Sequence, residues 1–297
     1  MKKYAQWMVK GAAMGMADIV PGISGGTIAF ILGIYERFLQ ALTSFNLQAL
    51  KHLSGFRFKA LWQHIDGAFL LSLFGGILIA IFSLANLITF MLEHHPVPLW
   101  SFFNGLILAS FPLLISKFKW SAYRAGLFVA GAVAAMLITT LTPMHTNPSY
   151  WMFLGAGFIS ICAMMLPGIS GSFLLLIMGM YAPITTAVSE LNLLPLGIFA
   201  TGAIAGLLVF SRLLQWALKR AHDAMLALLS GIVLGALFRI WPWQIDNNLV
   251  TPMRYAEVHL SADIGWAIVA FVLGAGLIQL LLHLEQLFNG EQDASNH

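Results

Sequence analysis

Long apolar blocks alternate along the chain with short polar or charged clusters. The hydrocarbon core of a bilayer is about 30 Å thick and takes about 20 helical residues to cross. Residues 66–91, 99–115 and 124–141 each read as a spanning helix, and so do 193–218, 223–240 and 264–284. Two other blocks behave differently. Trp7 to Val20 offers about 14 residues, or roughly 21 Å of helix, and then breaks at Pro21-Gly22 before Ser24 to Tyr35 resumes. Trp151 to Leu166 breaks in the same way at Pro167-Gly168 before Ser170 to Val188. No arm of either pair crosses comfortably. Each pair therefore reads as a re-entrant broken helical hairpin, over 7–45 and 151–188, with its tip at depth.

The breaks are copies of one another. Pro21-Gly22-Ile23-Ser24-Gly25 returns as Pro167-Gly168-Ile169-Ser170-Gly171, an offset of 146 that also matches Gly33-Ile34-Tyr35 to Gly179-Met180-Tyr181. Asn104-Gly105-Leu106 matches Ser230-Gly231-Ile232 at offset 126, because the first half carries the longer basic loop, Lys51 to Lys59. The predicted architecture is an all-α integral membrane protein of two repeats, 1–145 and 146–297, each one hairpin plus three spans, with a polar tail from Glu285. An odd number of crossings per repeat inverts the second copy in the membrane. Paired, Gly/Pro-interrupted apolar segments at matching places in two halves are the sequence mark of a transporter's binding site.

Composition sharpens this. Of 297 residues, 59% are hydrophobic and 9% charged, against about 25% charged in soluble domains. The single cysteine, Cys162, excludes a disulfide framework within the chain and lies in an apolar run. The first residues, Met1-Lys2-Lys3-Tyr4, show no cleavage site of the signal-peptide kind. With the N-terminus in the cytoplasm, 13 of the 15 Lys and Arg residues fall on the cytoplasmic side; Arg239 and Arg254 are outside. That split follows the positive-inside rule, and it predicts six spans with both termini cytoplasmic.

The hairpin tips carry the candidate chemistry. A helix restarting at Ser24 leaves free backbone N–H groups there, and Ser24 or Thr27 can cap them. Such donors suit an anion without any Lys or Arg. The substrate-binding set is Ser24, Gly25, Gly26 and Thr27 with Ser170, Gly171 and Ser172; the alternative is a pair of kinks that serve packing. Asp18 is an intramembrane carboxylate, hence a candidate for coupling to protons or sodium ions, or else a cap on the broken backbone. Glu36 is a second coupling candidate. Arg37 and Arg212 can complete the charge on a phosphate, for which the planar guanidinium is suited, or snorkel to the membrane edge. Arg239, before Trp241-Pro242-Trp243, fits an interfacial anchor or a headgroup contact. The nine histidines form no metal spacing, and the glycine-rich tips lack the lysine of a nucleotide-binding loop. No cofactor, metal or nucleic acid is expected.

Ala17-Asp18-Ile19-Val20-Pro21-Gly22-Ile23-Ser24-Gly25-Gly26-Thr27, running on to Gly33-Ile34-Tyr35-Glu36-Arg37, resembles the opening signature of the PopT-type polyprenyl-phosphate translocases. Leu166-Pro167-Gly168-Ile169-Ser170-Gly171-Ser172 looks like that family's second signature. Phe210-Ser211-Arg212, His222-Asp223 and Trp241-Pro242-Trp243 look like its later landmarks. The resemblance covers nearly the whole chain. It implies return of undecaprenyl phosphate from the outer to the inner leaflet of the bacterial plasma membrane, recycling the lipid carrier for peptidoglycan and other envelope glycans. It implies no cofactor and is compatible with ion coupling. Burying a phosphate charge unpaired in hydrocarbon is prohibitive, so two sets of backbone donors plus an arginine are a physically sensible replacement for its water. Two other classes stay in view. A polyprenyl-diphosphate phosphatase also uses inverted repeats and a Pro-Gly-x-Ser loop, but carries an arginine in that loop where this chain has Gly25-Gly26 and Gly171-Ser172. A small-anion transporter or channel would act without any lipid.

The topology is open to a direct check. Membrane-impermeant thiol labelling from outside should reach a cysteine placed at Asn147 or Asn247 and miss one at Lys117. Labelling at Lys117 from outside would overturn the orientation.

Overall fold

The computed structural model is built almost entirely of helices, with one two-stranded ribbon. It describes residues 2–20, 22–141, 148–245, 248–259 and 261–294, with side chains within 3–283 of those ranges. Pro21, much of the 142–150 link and the end of the polar tail lie outside the described residues. In chain order the helices are α1 (Lys2–Ile19), α2 (Gly25–Ile31), α3 (Tyr35–Thr43), α4 (Leu47–Ser54), α5 (Phe58–His64), α6 (Gly67–His94), α7 (Pro96–Ser116) and α8 (Ala122–Thr139). There follow α9 (Tyr150–Met165), α10 (Gly171–Ile177), α11 (Tyr181–Ser189), α12 (Leu193–Arg220) and α13 (His222–Ala236). The strands β1 (Gln244–Ile245) and β2 (Asn248–Leu249), then α14 (Pro252–His259) and α15 (Ile264–Ala294), complete the chain.

Among the described residues five helices, α6, α7, α8, α12 and α15, are long and apolar enough to cross a bilayer. The segment expected to span at 223–240 is shorter. Its helix α13 has 15 residues, or roughly 22 Å, and turns carry the chain on to Ile240. The basic loop expected between Lys51 and Lys59 is instead a pair of short helices, α4 and α5. The loop from Gln244 contains the ribbon and α14.

Each hairpin is broken twice. The expected break places Gly22 at φ +91° and Gly168 at φ +89°, values that glycine alone adopts freely. The second break divides the returning arm. Gly33 and Gly179 follow α2 and α10 at φ +69° and +67°. The Ile34 N–H donates to the Ala29 carbonyl at 3.0 Å and the Met180 N–H to the Leu175 carbonyl at 2.9 Å. That six-to-one bond with a left-handed glycine is the Schellman stop, and it appears in both copies. Between α10 and α11 the chain bends by 108°. The returning arms are thus two short helices each, not one.

Close helix packing repeats as well. A Cβ at Gly11 would strike the Leu73 carbonyl and one at Gly76 the Met8 carbonyl, bringing α1 against α6. The equivalents on α9 and α12 are Gly157 on Phe199 and Gly202 on Leu154. Each lies at the offsets 146 and 126 already seen in the motifs. The later helices exchange partners: α7 packs on α15 and α8 on α13. A Cβ at Gly105 would strike Phe271 and one at Gly274 would strike Phe102; a Cβ at Gly231 would strike Phe128 and one at Gly131 would strike Leu228. Phe128-Val129-Ala130-Gly131-Ala132 is matched by Phe271-Val272-Leu273-Gly274-Ala275, a third offset of 143. Small residues that let backbones touch are the usual way to join helices where lipid removes the hydrophobic drive.

By compactness the described chain forms two units, one of residues 1–85 and 118–236 and one of 86–117 and 237–297. The first contains both hairpins. In the second, Val97, Tyr255 and Ala267 form a small core with Trp243, Ile245 and Val250.

These contacts make a prediction about glycine. Gly231→Ala should destabilise by about 1–3 kcal/mol through overpacking, whereas Gly126→Ala, with open space around it, should be neutral or gain up to about 1 kcal/mol of helix propensity. Thermal unfolding of the two purified variants checks the difference.

Candidate functional site

The helix α9 ends at Met165, and its last carbonyls need donors that the helix cannot supply. The first hairpin supplies them. The Ser24 hydroxyl donates to the Met164 carbonyl at 3.0 Å, and the Tyr35 phenol donates to the Met165 carbonyl at 2.8 Å. In return, the Gly168 N–H donates to Thr27 Oγ1 at 2.8 Å. Ser24 and Thr27 are each 1% exposed, so these bonds have no competition from water. The two tips singled out from sequence are therefore brought together, and they bond to one another.

Within the first tip the donors are already occupied. Ser24 caps α2, accepting from the Gly26 N–H at 3.1 Å while donating to Met164. The Gly25 N–H donates to Asp18 Oδ1 at 2.6 Å. Asp18 stands three residues before Pro21, and the turn carries its carboxylate back over the start of α2. A Cβ on Gly25 would lie 2.5 Å from Asp18 Oδ2; glycine is what lets the carboxylate approach.

The second tip is built differently. Ser170 precedes α10 without a side-chain cap bond, and its Oγ lies 2.9 Å from Ser172 Oγ. Ser170 is buried and Ser172 exposed. Met164 stands where the first repeat has Asp18. A Cβ on Gly171 would come within 2.6 Å of the Ser160 carbonyl. One tip holds a carboxyl group; its counterpart pairs two hydroxyls.

The expected charged residues are placed elsewhere. Arg37 bonds Asp66 through Nε and a terminal nitrogen, both at 2.7 Å, with its guanidinium 4.2 Å from the Trp7 ring centroid and 4.6 Å from that of Phe69. Glu36 Oε1 meets His222 Nε2 at 2.9 Å. Asp223 in turn pairs with Arg124 at 3.2 Å, linking α3, α13 and α8 by charge. Arg212 donates to the Phe45 carbonyl at 3.0 Å, and also to its own helix at Leu208, tying the end of the first hairpin to α12. Arg239 belongs to the other compact unit, where its carbonyl accepts from Gln244 Nε2 at 3.0 Å. The neighbouring indoles hold the loop backbone, Trp241 to Val250 and Trp243 to Ala262. Among the described residues no cluster of three or more His, Cys, Asp or Glu side chains could hold a metal.

Tyr35 at this joint and His222, the partner of Glu36, are residues that sequence reasoning did not assign. Tyr35 carried a signal, since Gly-x-Tyr occurs in both repeats, yet Tyr181 is exposed at 46% and Tyr35 buried at 2%.

Residues 14–257 match the model of the VCA0040-like family, described as undecaprenyl phosphate translocase-like. The chain is 48% identical to a protein of Vibrio cholerae serotype O1 named polyprenyl-phosphate transporter, over 95% of this chain and 96% of that one. It is 35% identical to a Staphylococcus aureus protein of the same name, over 82% of this chain and 88% of that one. No solved structure matches the chain. A family model covering most of the sequence, and relatives aligned along nearly their full length, fix the assignment: the chain belongs to the undecaprenyl phosphate translocase-like family.

Proposed function

We propose that this chain transports polyprenyl phosphate, returning undecaprenyl phosphate from the outer to the inner leaflet of the bacterial plasma membrane so that the carrier is reused in envelope synthesis. The names of the relatives support the substrate. The observation that carries the mechanism is the bond from the Gly25 N–H to Asp18. A carboxylate already sits on the backbone donor that sequence reasoning reserved for an anion. The incoming phosphate displaces Asp18 from Gly25 and takes further donors from Ser170, Gly171 and Ser172. Asp18, released from its donor, takes up a proton or a sodium ion, and that exchange couples the lipid to an ion gradient. Arg37 and Arg212 brace the first hairpin from outside the joint, and Glu36 links it to α13 through His222.

The two repeats run in opposite senses across the membrane in this reading, with both termini cytoplasmic. The duplicated Schellman stops and the glycine contacts of α1 on α6 and α9 on α12 at shared offsets support a pseudo-two-fold relation of the two hairpins. The prenyl tail stays in lipid while the headgroup passes the joint.

Binding of undecaprenyl phosphate to detergent-purified variants tests the site. A charge-assisted hydrogen bond is worth roughly 1.5–3 kcal/mol, so Gly171→Val should weaken binding about 10-fold or more. Asp18→Asn should keep or tighten binding, because a neutral amide is a weaker competitor for Gly25, and should flatten the pH dependence of transport in vesicles. A Gly171→Val protein that folds and binds like the parent would remove the second tip from the site. An unchanged pH profile in Asp18→Asn would leave Asp18 a structural cap. Pure protein given undecaprenyl diphosphate should release no phosphate, and turnover there would favour the phosphatase reading.

A further inference from the structure

The connection from the first hairpin to the first long helix is far larger than its counterpart. In the second repeat α11 ends at Ser189 and α12 starts at Leu193; in the first, α4 and α5 are inserted between α3 and α6. The insert is ordered. Asn46 caps α4 by accepting from the Gln48 and Ala49 N–H groups at 2.9 and 3.2 Å, and the same Oδ1 meets His64 Nε2 at 3.3 Å. The His52 and His64 rings meet edge-on at 5.7 Å, closing the two helices into a hairpin.

Its surface is not that of a water-facing hairpin. Between Phe45 and Lys59 only Ala49 is buried and only His52 half-buried. Leu47, Leu50 and Leu53 recur every third residue and share one face of α4, an arc of roughly 120°. Phe58, Leu61 and Trp62 share a face of α5. Phe56 at the turn sits edge-on to Phe58 at 6.2 Å and is 79% exposed, Leu47 77%. Lys51, His52 and Lys59 occupy the other arcs with Arg57 at the turn, and residues 46–65 contain no acid. The helix α6, a membrane span by length and hydropathy, starts just after α5, which fixes that end of the hairpin at the bilayer surface.

We propose that α4–α5 is an interfacial anchor lying in the plane of an anionic leaflet. Its Leu, Phe and Trp face enters the acyl boundary, and Lys51, Arg57 and Lys59 bind the phosphates of acidic lipids. A helix with an apolar aromatic face and a basic polar face partitions in this way, and juxtamembrane basic residues are drawn to acidic headgroups. Charge complementarity selects the occupant: a purely apolar partner would leave three cations without counter-charge, and a soluble acidic partner would leave the exposed Leu47, Leu50, Leu53, Phe56, Phe58 and Trp62 in water. The anchor concentrates acidic lipid beside the first hairpin, and it stands independently of the transport reading.

The test uses the full chain with Cys162→Ala, reconstituted in vesicles of phosphatidylcholine and phosphatidylglycerol. Nitroxide labels at Leu50→Cys and Phe56→Cys should collide often with oxygen and rarely with a water-soluble nickel chelate; a label at Gln48→Cys should show the reverse. Frequent nickel collisions at Leu50 and Phe56, or few collisions with either reagent as under a second copy or another protein, would overturn the proposal. In Lys51→Gln/Arg57→Gln/Lys59→Gln, the preference for spin-labelled phosphatidylglycerol over phosphatidylcholine should fall at least about twofold, while the label depth at Leu50 shows that the hairpin keeps its fold. An unchanged lipid preference with the fold intact would refute the headgroup contact.

Discussion

A backbone broken inside hydrocarbon has no water to satisfy its amide groups, and each one left bare costs several kcal/mol. This chain breaks its backbone at two matching places within apolar sequence, and the two breaks bond to one another. Ser24 and Tyr35 satisfy the carbonyls that end α9, and the Gly168 N–H finds Thr27. The joint is therefore a structural necessity before it is a site. It also explains why the repeats are unequal. Asp18 fills the first tip, while Ser170 and Ser172 are left to bond each other. Asp18 in the first tip and Met164 at the matching place in the second give the two tips different chemistry.

The helix pairs are set by backbone contact rather than side-chain bulk. In each pairing of α1 with α6, α9 with α12, α8 with α13 and α7 with α15, glycines face carbonyls so closely that no Cβ fits. Polar bonds then tie the first hairpin to its surroundings, with Arg37 on Asp66, Glu36 on His222 and Arg212 on the Phe45 carbonyl.

The parts legible in the sequence were those written in local letters. Pro21-Gly22 and Pro167-Gly168 announce a break because proline removes a donor and glycine accepts positive φ. The second break at Gly33 and Gly179 was equally present, but apolar residues continue through it and hydropathy does not register a Schellman turn. The α4–α5 helices read as a basic loop because Lys51, Arg57 and Lys59 outweigh, in composition, a leucine spacing that only a helix reveals. The match of Phe128 to Phe271 escaped because its offset differs from those of the earlier helices. Tyr35 with Met165 and Glu36 with His222 are pairings across 130 and 186 residues, and nothing local encodes them.

The central claim, that the phosphate is received where the two breaks meet, can be measured at Ser172, the exposed hydroxyl of the second tip. In a Cys162→Ala background, Ser172→Cys is modified by a charged thiol reagent with and without lipid, with Ser189→Cys as a distant control. The account predicts that undecaprenyl phosphate slows modification at Ser172→Cys, that undecaprenol does not, and that the control is unaffected. Equal modification rates at Ser172→Cys with and without saturating undecaprenyl phosphate would contradict it.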